Sequence, residues 1–396
     1  MQYLTFTPDS LNHISRMAAA EVRDKYTQTG ENFNLAFKMV SSCKVRSTEL
    51  DYSSSCLLVL QVNSDTKLVK TVLHSHGFTQ EVQSKGEDKK YFSALVEIHR
   101  SIFYGVVQQC EQHRCAISSR GYFFFRGLTE TVSMSYRQRL NQFPRSTELT
   151  RKDKLYDNIG RSAAIFGDAF SFIPEFFVTP RDSSLLETAM EQSMSDYSFI
   201  VKPVSSSRGQ GIFFASTVQE IPQTDNLLVS RYLENPLLVN GHKFDLRIYV
   251  AVTSFYPLIV YVYSEGLTRV ASEKYCSELD SKDAFIHLTN YSINKNNSNF
   301  VRNESMASED LGHKWTLGAL LRHLEKKEID AKMLMLRIED VIVKTLLSVQ
   351  TRITSACRTS TPHVGTNFEL FGFDILVDAE LKPWLLEVNL SPSLSW

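Results

Sequence analysis

The chain has 396 residues, with 43 Lys and Arg against 44 Asp and Glu and a formal net charge of −1. It therefore offers no global field to attract DNA, RNA or an anionic membrane, and a polyanionic partner must meet a local patch. Hydrophobic residues are 43%, charged residues 22%, and Gly and Pro only 16 and 11, which excludes disordered and collagen-like classes and leaves room for several folded domains.

The N-terminus has neither the basic start nor the apolar run of a signal peptide. The longest strongly apolar run, residues 257–263, falls far short of the ~20 residues that span a bilayer. Six cysteines, Cys43, Cys56, Cys110, Cys115, Cys276 and Cys357, show no CxxC spacing and read as reduced thiols. Cys110 and Cys115 flank His113 but lack the second ligand pair of a structural zinc site. A cytoplasmic location is the expectation.

No repeat and no Pro- or Gly-rich linker divides the chain, so domain limits rest on changes of pattern. Residues 1–141 give mixed signals, with a polar stretch at 53–55 and an aromatic cluster at Tyr122–Phe125. From Ser146 a polar capping segment precedes apolar Leu155, Ile159 and Ala163, which predicts a helix with Arg151, Lys152 and Lys154 in its early turns. After about Asp196 the chain turns to Val, Ile, Phe and Tyr, predicting strands at 198–204, 212–216, 227–232, 244–253 and 258–263. Helical spacing follows at 315–325 and 333–354, and two strands at 368–377 and 382–388 close the sequence. The class is mixed α/β (α+β).

Three segments carry chemistry. Residues 202–211, Lys-Pro-Val-Ser-Ser-Ser-Arg-Gly-Gln-Gly, place a small-residue loop between two strands. Its glycines and exposed N–H groups could cradle a phosphate beside Lys202 and Arg208. The spacing is neither that of a P-loop nor of a Rossmann fingerprint, and an ordinary Ser/Gly turn is equally consistent with it. Asp374, Glu387 and Asn389 lie on the last two strands; Glu387 and Asn389, two apart, share a face. If Asp374 points the same way, three oxygen ligands suit Mg²⁺ with phosphates and water completing its octahedron. The alternative is a solvated sheet face, to which Asp378 and Glu380 belong. Lys243, Asp245 and Arg247 alternate with Phe244 and Leu246, which fits either an amphipathic edge strand or one wall of a site. Arg269 and the segment His287 to Lys295 add cations and amides downstream of strands. Together these residues outline a pocket for a triphosphate, a metal and a carboxylate-bearing molecule.

The sequence resembles the tubulin tyrosine ligase-like family. The match is carried by residues 143–153, 200–212, 230–238, 243–247, 287–292 and 374–392, with 29–38 and 72–78 similar to the polyglutamylase branch. The resemblance implies an ATP-grasp fold with an N-terminal domain at 1–148, a central domain at 149–229 and a C-terminal domain at 230–396. It implies ATP and Mg²⁺ as cofactors and an ATP-driven amide bond from free glutamate to tubulin tails, through an acyl phosphate. Lys152 and Lys202, with Ser207, Arg208, Gly209 and Gly211 of the loop, would meet the phosphates. Ser230, Arg231, Tyr232 and Leu233 would line the adenine pocket, and Lys243 and Asp245 would hold phosphate or ribose. Asp374, Glu387 and Asn389 would bind the metal. Arg247, Arg269, Thr289, Asn290 and Lys295 would grip substrate carboxylates, with Arg247, Arg269 and Glu387 counted as catalytic.

Residues 91–140 depart from the family pattern. The chain also ends at Trp396, short of the closing helix and cationic microtubule-binding segment that members usually carry, so it reads as truncated, with reduced stability and microtubule affinity. The implied partners are tubulin, microtubules and free glutamate, with no nucleic acid or membrane, in the cytoplasm and on the microtubule cytoskeleton; the oligomeric state is left open, a monomer being the expectation. A glycine or tyrosine ligase of the same fold, and a catalytically silent microtubule binder, remain alternatives.

Overall fold

A computed structural model describes residues 58–61, 78–80, 117–118 and 139–140 as strands, and residues 142–393 apart from 193–198, 207–208, 223, 277–282, 304–308, 361–364, 366 and 391. The segment at 29–38, the Tyr122–Phe125 cluster and the first four cysteines lie outside the described residues.

Fourteen strands form three sheets among the described residues. β1 (Leu58–Gln61), β2 (Phe78–Gln80), β3 (Ile117–Ser118) and β4 (Arg139–Leu140) make a parallel sheet in the order β2-β1-β3-β4. An antiparallel sheet, β5-β8-β6-β7, follows from β5 (Phe176–Thr179), β6 (Phe199–Pro203), β7 (Phe213–Ala215) and β8 (Leu227–Arg231). The largest sheet runs β12-β11-β10-β13-β14, from β10 (His242–Phe255), β11 (Leu258–Val270), β12 (Lys314–Thr316), β13 (Glu369–Val377) and β14 (Pro383–Leu390), with β9 (Leu238–Val239) paired to β10.

Alternation of side chains decides which residues reach the space between the two antiparallel sheets. On β10, Phe244, Leu246, Ile248, Val250 and Val252 are fully buried and join one core with Leu334, Ile338, Ile342 and Leu346 of helix α7 (Ala331–Ser360) and Leu320 and Leu324 of α6 (Leu317–Glu325). Each such burial is worth roughly 1.5–3 kcal/mol. Because the even positions are committed to the helices, Lys243, Asp245 and Arg247 must face the other way. β10 lies between β11 and β13, so it is an interior strand and the edge-strand reading does not hold.

The smaller sheet obeys the same rule. Phe199 and Val201 of β6 and Leu227 and Val229 of β8 pack with Leu186 and Met190 of α3 (Ser183–Glu191). Ile200, Lys202, Leu228 and Ser230, paired in register across β6 and β8, take the opposite face. The helix predicted from Ser146 forms in two pieces, α1 (Thr147–Thr150) and α2 (Lys152–Phe166), with Arg151 extended at φ −87°, ψ 129° between them. Arg269, expected downstream of a strand, lies within β11, which runs seven residues further than the sequence pattern indicated.

Candidate functional site

Lys152 and Tyr156 are four apart on α2 and so share one face of the helix. Tyr156 is fully buried, its hydroxyl lies 3.3 Å from the carbonyls of Leu385 and Leu386, and this holds α2 on β14. Lys152 Nζ then reaches Glu387 Oε2 of the same strand at 3.0 Å and donates to the Ser206 carbonyl at 3.0 Å. The helix thus ties the 202–211 loop to the last strand.

Cross-strand register assembles the acidic wall. Asp374 is opposite Arg247 on one side and Glu387 on the other, Asp245 is opposite Arg269, and Gly372 is opposite Asn389. Directly opposed residues share a face, so Asp374, Glu387 and Asn389 lie on one face as the strand pattern required; Asp374 lines a narrow cleft, Asn389 a broader one beside it, and Glu387 both, with the Asn389 amide donating to the Gly372 carbonyl at 3.2 Å. Arg247 donates through Nε and Nη2 to the two oxygens of Asp374, and Arg269 does the same to Asp245 while also donating to Asp374 at 2.8 Å. These two guanidiniums hold the Asp374 carboxyl well below the usual carboxylate range against the opposing effect of burial. Among the described residues no group of three or more His, Cys, Asp or Glu is poised around a common metal position. The nominated set contains two carboxylates and an amide, and each carboxylate now holds a cation of the chain.

Five cations, Lys152, Lys202, Lys243, Arg247 and Arg269, therefore face three carboxylates, Asp245, Asp374 and Glu387. Lys202 is 8% exposed, and its ammonium has no hydrogen bond or ion pair among the described residues. Burial, set partly against Glu387 and reinforced by Lys152, pushes its pKa down to about 8. Burial and Lys202 push Lys243 down to about 7, with Asp245 opposing. Ser230 is fully buried and its Oγ finds no hydrogen-bond partner among the described residues. Buried ammoniums in excess and an orphan hydroxyl are unfavourable until an anion or a polar ligand joins them.

These groups line the narrow cleft between the two antiparallel sheets, with Lys152, Lys202, Gly209, Ser230, Arg231, Tyr232, Leu233, Lys243, Asp245, Arg269, Thr289, Asn290, Asp374 and Glu387 in its walls. Apolar Ile200, Ile212, Leu288, Leu376 and Leu386 complete them. Arg231 turns its guanidinium away from this face, to Glu175 at 3.0 Å and over the ring of Phe199. A broader cleft adjoins it, sharing Arg269, Thr289, Asn290 and Glu387 and adding Arg247, Lys295 and Asn389. Gly211 lines neither; it holds a turn at φ +72°, and a Cβ there would lie 2.9 Å from Pro203. Gly209, at φ +75°, lets the loop close on Ile293, where a Cβ would come within 2.5 Å. Ser207 and Arg208 lie outside the described residues.

The sequence reading gave several residues no individual role. His287, on α4 (Ala284–His287), is buried in the narrow cleft. Asn294 is 1% exposed, accepts from the Ser272 N–H and hydroxyl at 2.7 Å, and donates to the carbonyls of Leu288 and Asn290. It thereby fixes the loop that carries Thr289 and Asn290. Arg302, His313 and Lys314 line the broad cleft; Lys314 is opposite Arg269 in β12, and burial beside Arg302 pushes its pKa down to about 8. That pairing had no signal in the sequence, because residues 269 and 314 meet only through the sheet.

The model of the tubulin-tyrosine ligase family matches residues 130–396, the part that builds both clefts. The chain is 50% identical to the tubulin polyglutamylase ttll-5 of Caenorhabditis elegans over 99% of its own length and 48% of that protein's. It is 41% identical to the human tubulin polyglutamylase TTLL5 over 84% of this chain and 24% of that one, and 46% identical to the human tubulin monoglutamylase TTLL4 over 66% and 22%. The chain thus spans about half or less of the length of these relatives. With the matched stretch covering both antiparallel sheets and the cleft between them, the chain belongs to the tubulin-tyrosine ligase family.

Proposed function

We propose that this chain is an ATP-dependent ligase of ATP-grasp fold that joins free glutamate to glutamate side chains in the C-terminal tails of tubulin. Its N-terminal, central and C-terminal domains would be 1–148, 149–229 and 230–396, and its place the microtubule cytoskeleton. The observation that carries the reading is the excess of buried ammonium groups, Lys202 and Lys243 above all, facing an unpartnered Ser230 hydroxyl in a cleft with apolar side walls. Those features fit a nucleotide: the apolar walls suit a base, the ammoniums its phosphates. The relatives' names supply tubulin and glutamate.

In this reading Lys152, Lys202 and Lys243 hold the phosphates of ATP, and their charge balances the anion that crowds the site as the γ-phosphoryl group moves to a tail carboxylate. The resulting acyl phosphate is open to the amine of free glutamate, and phosphate leaves. Asp374, Glu387 and Asn389 would hold Mg²⁺, which when bound neutralises phosphate charge. Arg269 stands between the two clefts and Arg247 in the wall of the broad one, and their bidentate grip on Asp245 and Asp374 fixes the planes of both guanidiniums. Lys295, Thr289 and Asn290 face the broad cleft, where an acidic tail or amino acid would enter.

The test incubates the protein with microtubules and Mg-ATP, offers glutamate, glycine or tyrosine separately, and reads the tubulin tails by intact mass. Glutamate-sized increments that need ATP and vanish in Glu387→Gln are expected. Glycine or tyrosine increments would overturn the amino acid named, and ATP binding without any increment would overturn the ligase reading.

A further inference from the structure

One wall of the narrow cleft is built on a chain of three buried polar side chains. His287 is 5% exposed and boxed by Phe214, Tyr232 and Tyr275, with ring centroids 5.2, 5.5 and 6.0 Å away. Its Nδ1 is 2.8 Å from the Tyr232 hydroxyl, and that hydroxyl accepts a hydrogen bond from Lys243 Nζ at 2.9 Å. An ammonium has protons and no lone pair, so the tyrosine oxygen must be the acceptor toward Lys243. The tyrosine's own proton then has Nδ1, 2.8 Å away, as its closest acceptor, with the Tyr275 hydroxyl a second neighbour; donation to Nδ1 goes with the imidazole tautomer that leaves this nitrogen unprotonated. Tyr275, on the far side, donates its hydroxyl to the Glu234 carbonyl at 2.6 Å.

We propose that His287 is a positioning residue of the nucleotide site, holding the Lys243 ammonium at the cleft wall by fixing the direction of the Tyr232 hydroxyl. The inference rests on the nucleotide reading above and adds to it a group that never touches the phosphates. Lys243 faces Lys202 across the cleft and has Asp245 beside it on β10; desolvation and Lys202 both disfavour its charge. What favours the charge, besides Asp245, is the Tyr232 lone pair and the Tyr232 ring, whose centroid is 4.3 Å from Nζ. Without Nδ1 the hydroxyl loses its 2.8 Å acceptor and keeps only the Tyr275 side, so its lone pair is no longer held on the ammonium and the attraction weakens. The imidazole therefore acts on the lysine at one remove.

The full chain is titrated with Mg-ATP as wild type, His287→Ala, His287→Asn, Tyr232→Phe and the His287→Ala/Tyr232→Phe double variant. In parallel, without nucleotide, the rate at which acetic anhydride labels Lys243 is followed against pH by peptide mass spectrometry. His287→Ala and Tyr232→Phe should each weaken Mg-ATP binding about tenfold, the worth of a hydrogen bond to a charged group, and shift the Lys243 labelling midpoint to lower pH. The Asn amide oxygen can take the tyrosine proton where Nδ1 did, so His287→Asn should return both readouts to within about twofold of wild type. The double variant should be no worse than either single one, because both cut the same chain. Additive losses, an Asn variant as impaired as the Ala variant, or an unmoved Lys243 midpoint would overturn the proposal. Failure of the wild type to bind Mg-ATP would remove the nucleotide reading alone, since the labelling midpoint still decides whether His287 controls Lys243.

Discussion

The depressed lysines bring the loss of phosphate affinity with rising pH down from the ordinary lysine range into the interval from pH 7 to pH 9. With Lys243 at about 7 and Lys202 at about 8, against an ordinary value of 10.5, the free protein loses both protons between pH 7 and pH 9. A polyphosphate favours the ammonium form of each, so binding above pH 7 must take up protons, and affinity falls as pH rises. The fraction of free protein carrying both protons is roughly one half at pH 7 and about one in a thousand at pH 9, so Mg-ATP affinity should drop by on the order of a few hundredfold. Calorimetric titrations at half-unit steps measure this directly. Lys202→Met should leave a shallower fall of about one decade per pH unit, the step belonging to Lys243, with its midpoint moved above 7 because Lys202 no longer holds that lysine down. Affinity unchanged between pH 7 and pH 9 would refute the assignment of these two ammoniums to the phosphates. The same shifts act on folding. The unfolded chain holds both protons up to 10.5 while the fold releases them earlier, so unfolding free energy should rise with pH from about 7 toward 10.5.

Further outcomes concern the acidic wall. Arg269→Ala removes a guanidinium that serves both Asp245 and Asp374, and leaving a buried carboxylate short of a partner should cost about 3 kcal/mol in urea unfolding; a loss under about 1 kcal/mol would show that the pair is already solvated. Gly372→Ala would put a Cβ 3.0 Å from Arg247 Cδ and 2.7 Å from Pro392, so a destabilisation of about 1–3 kcal/mol is expected together with displacement of Arg247 from Asp374; a crystal structure of the variant with that ion pair intact would contradict it. Glu387→Gln should abolish glutamate addition while keeping the thermal midpoint within a few degrees, because Gln can still accept from Lys152.

Much of the site was legible in the sequence because a strand's period of two is a strict rule. Glu387 and Asn389, or Lys243, Asp245 and Arg247, could be assigned to shared faces from spacing alone, and the structure places them so. Helix α7 and the last two strands showed their periodicity plainly, since burial against a single core imposes it. Where the predicted helix broke at Arg151, the local sequence held no Pro or Gly to announce it. The extended residue lets α2 start at Lys152, on the face that Tyr156 fastens to β14.

Sequence alone determined which residue types were available, which of them alternate together, and that the chain carries a net charge too small to steer a polyanion from a distance. Tertiary structure decided which face is the inner one, by committing Phe244, Leu246 and Ile248 to the helices and turning Lys243, Asp245 and Arg247 into the cleft. It also decided partners separated by more than a hundred residues, Arg247 with Asp374 and Lys152 with Glu387, and it enclosed His287 behind Tyr232. The physical reason is that a hydrogen bond or ion pair depends on distance through space, whereas spacing along one chain reports only the neighbours a strand or helix brings together.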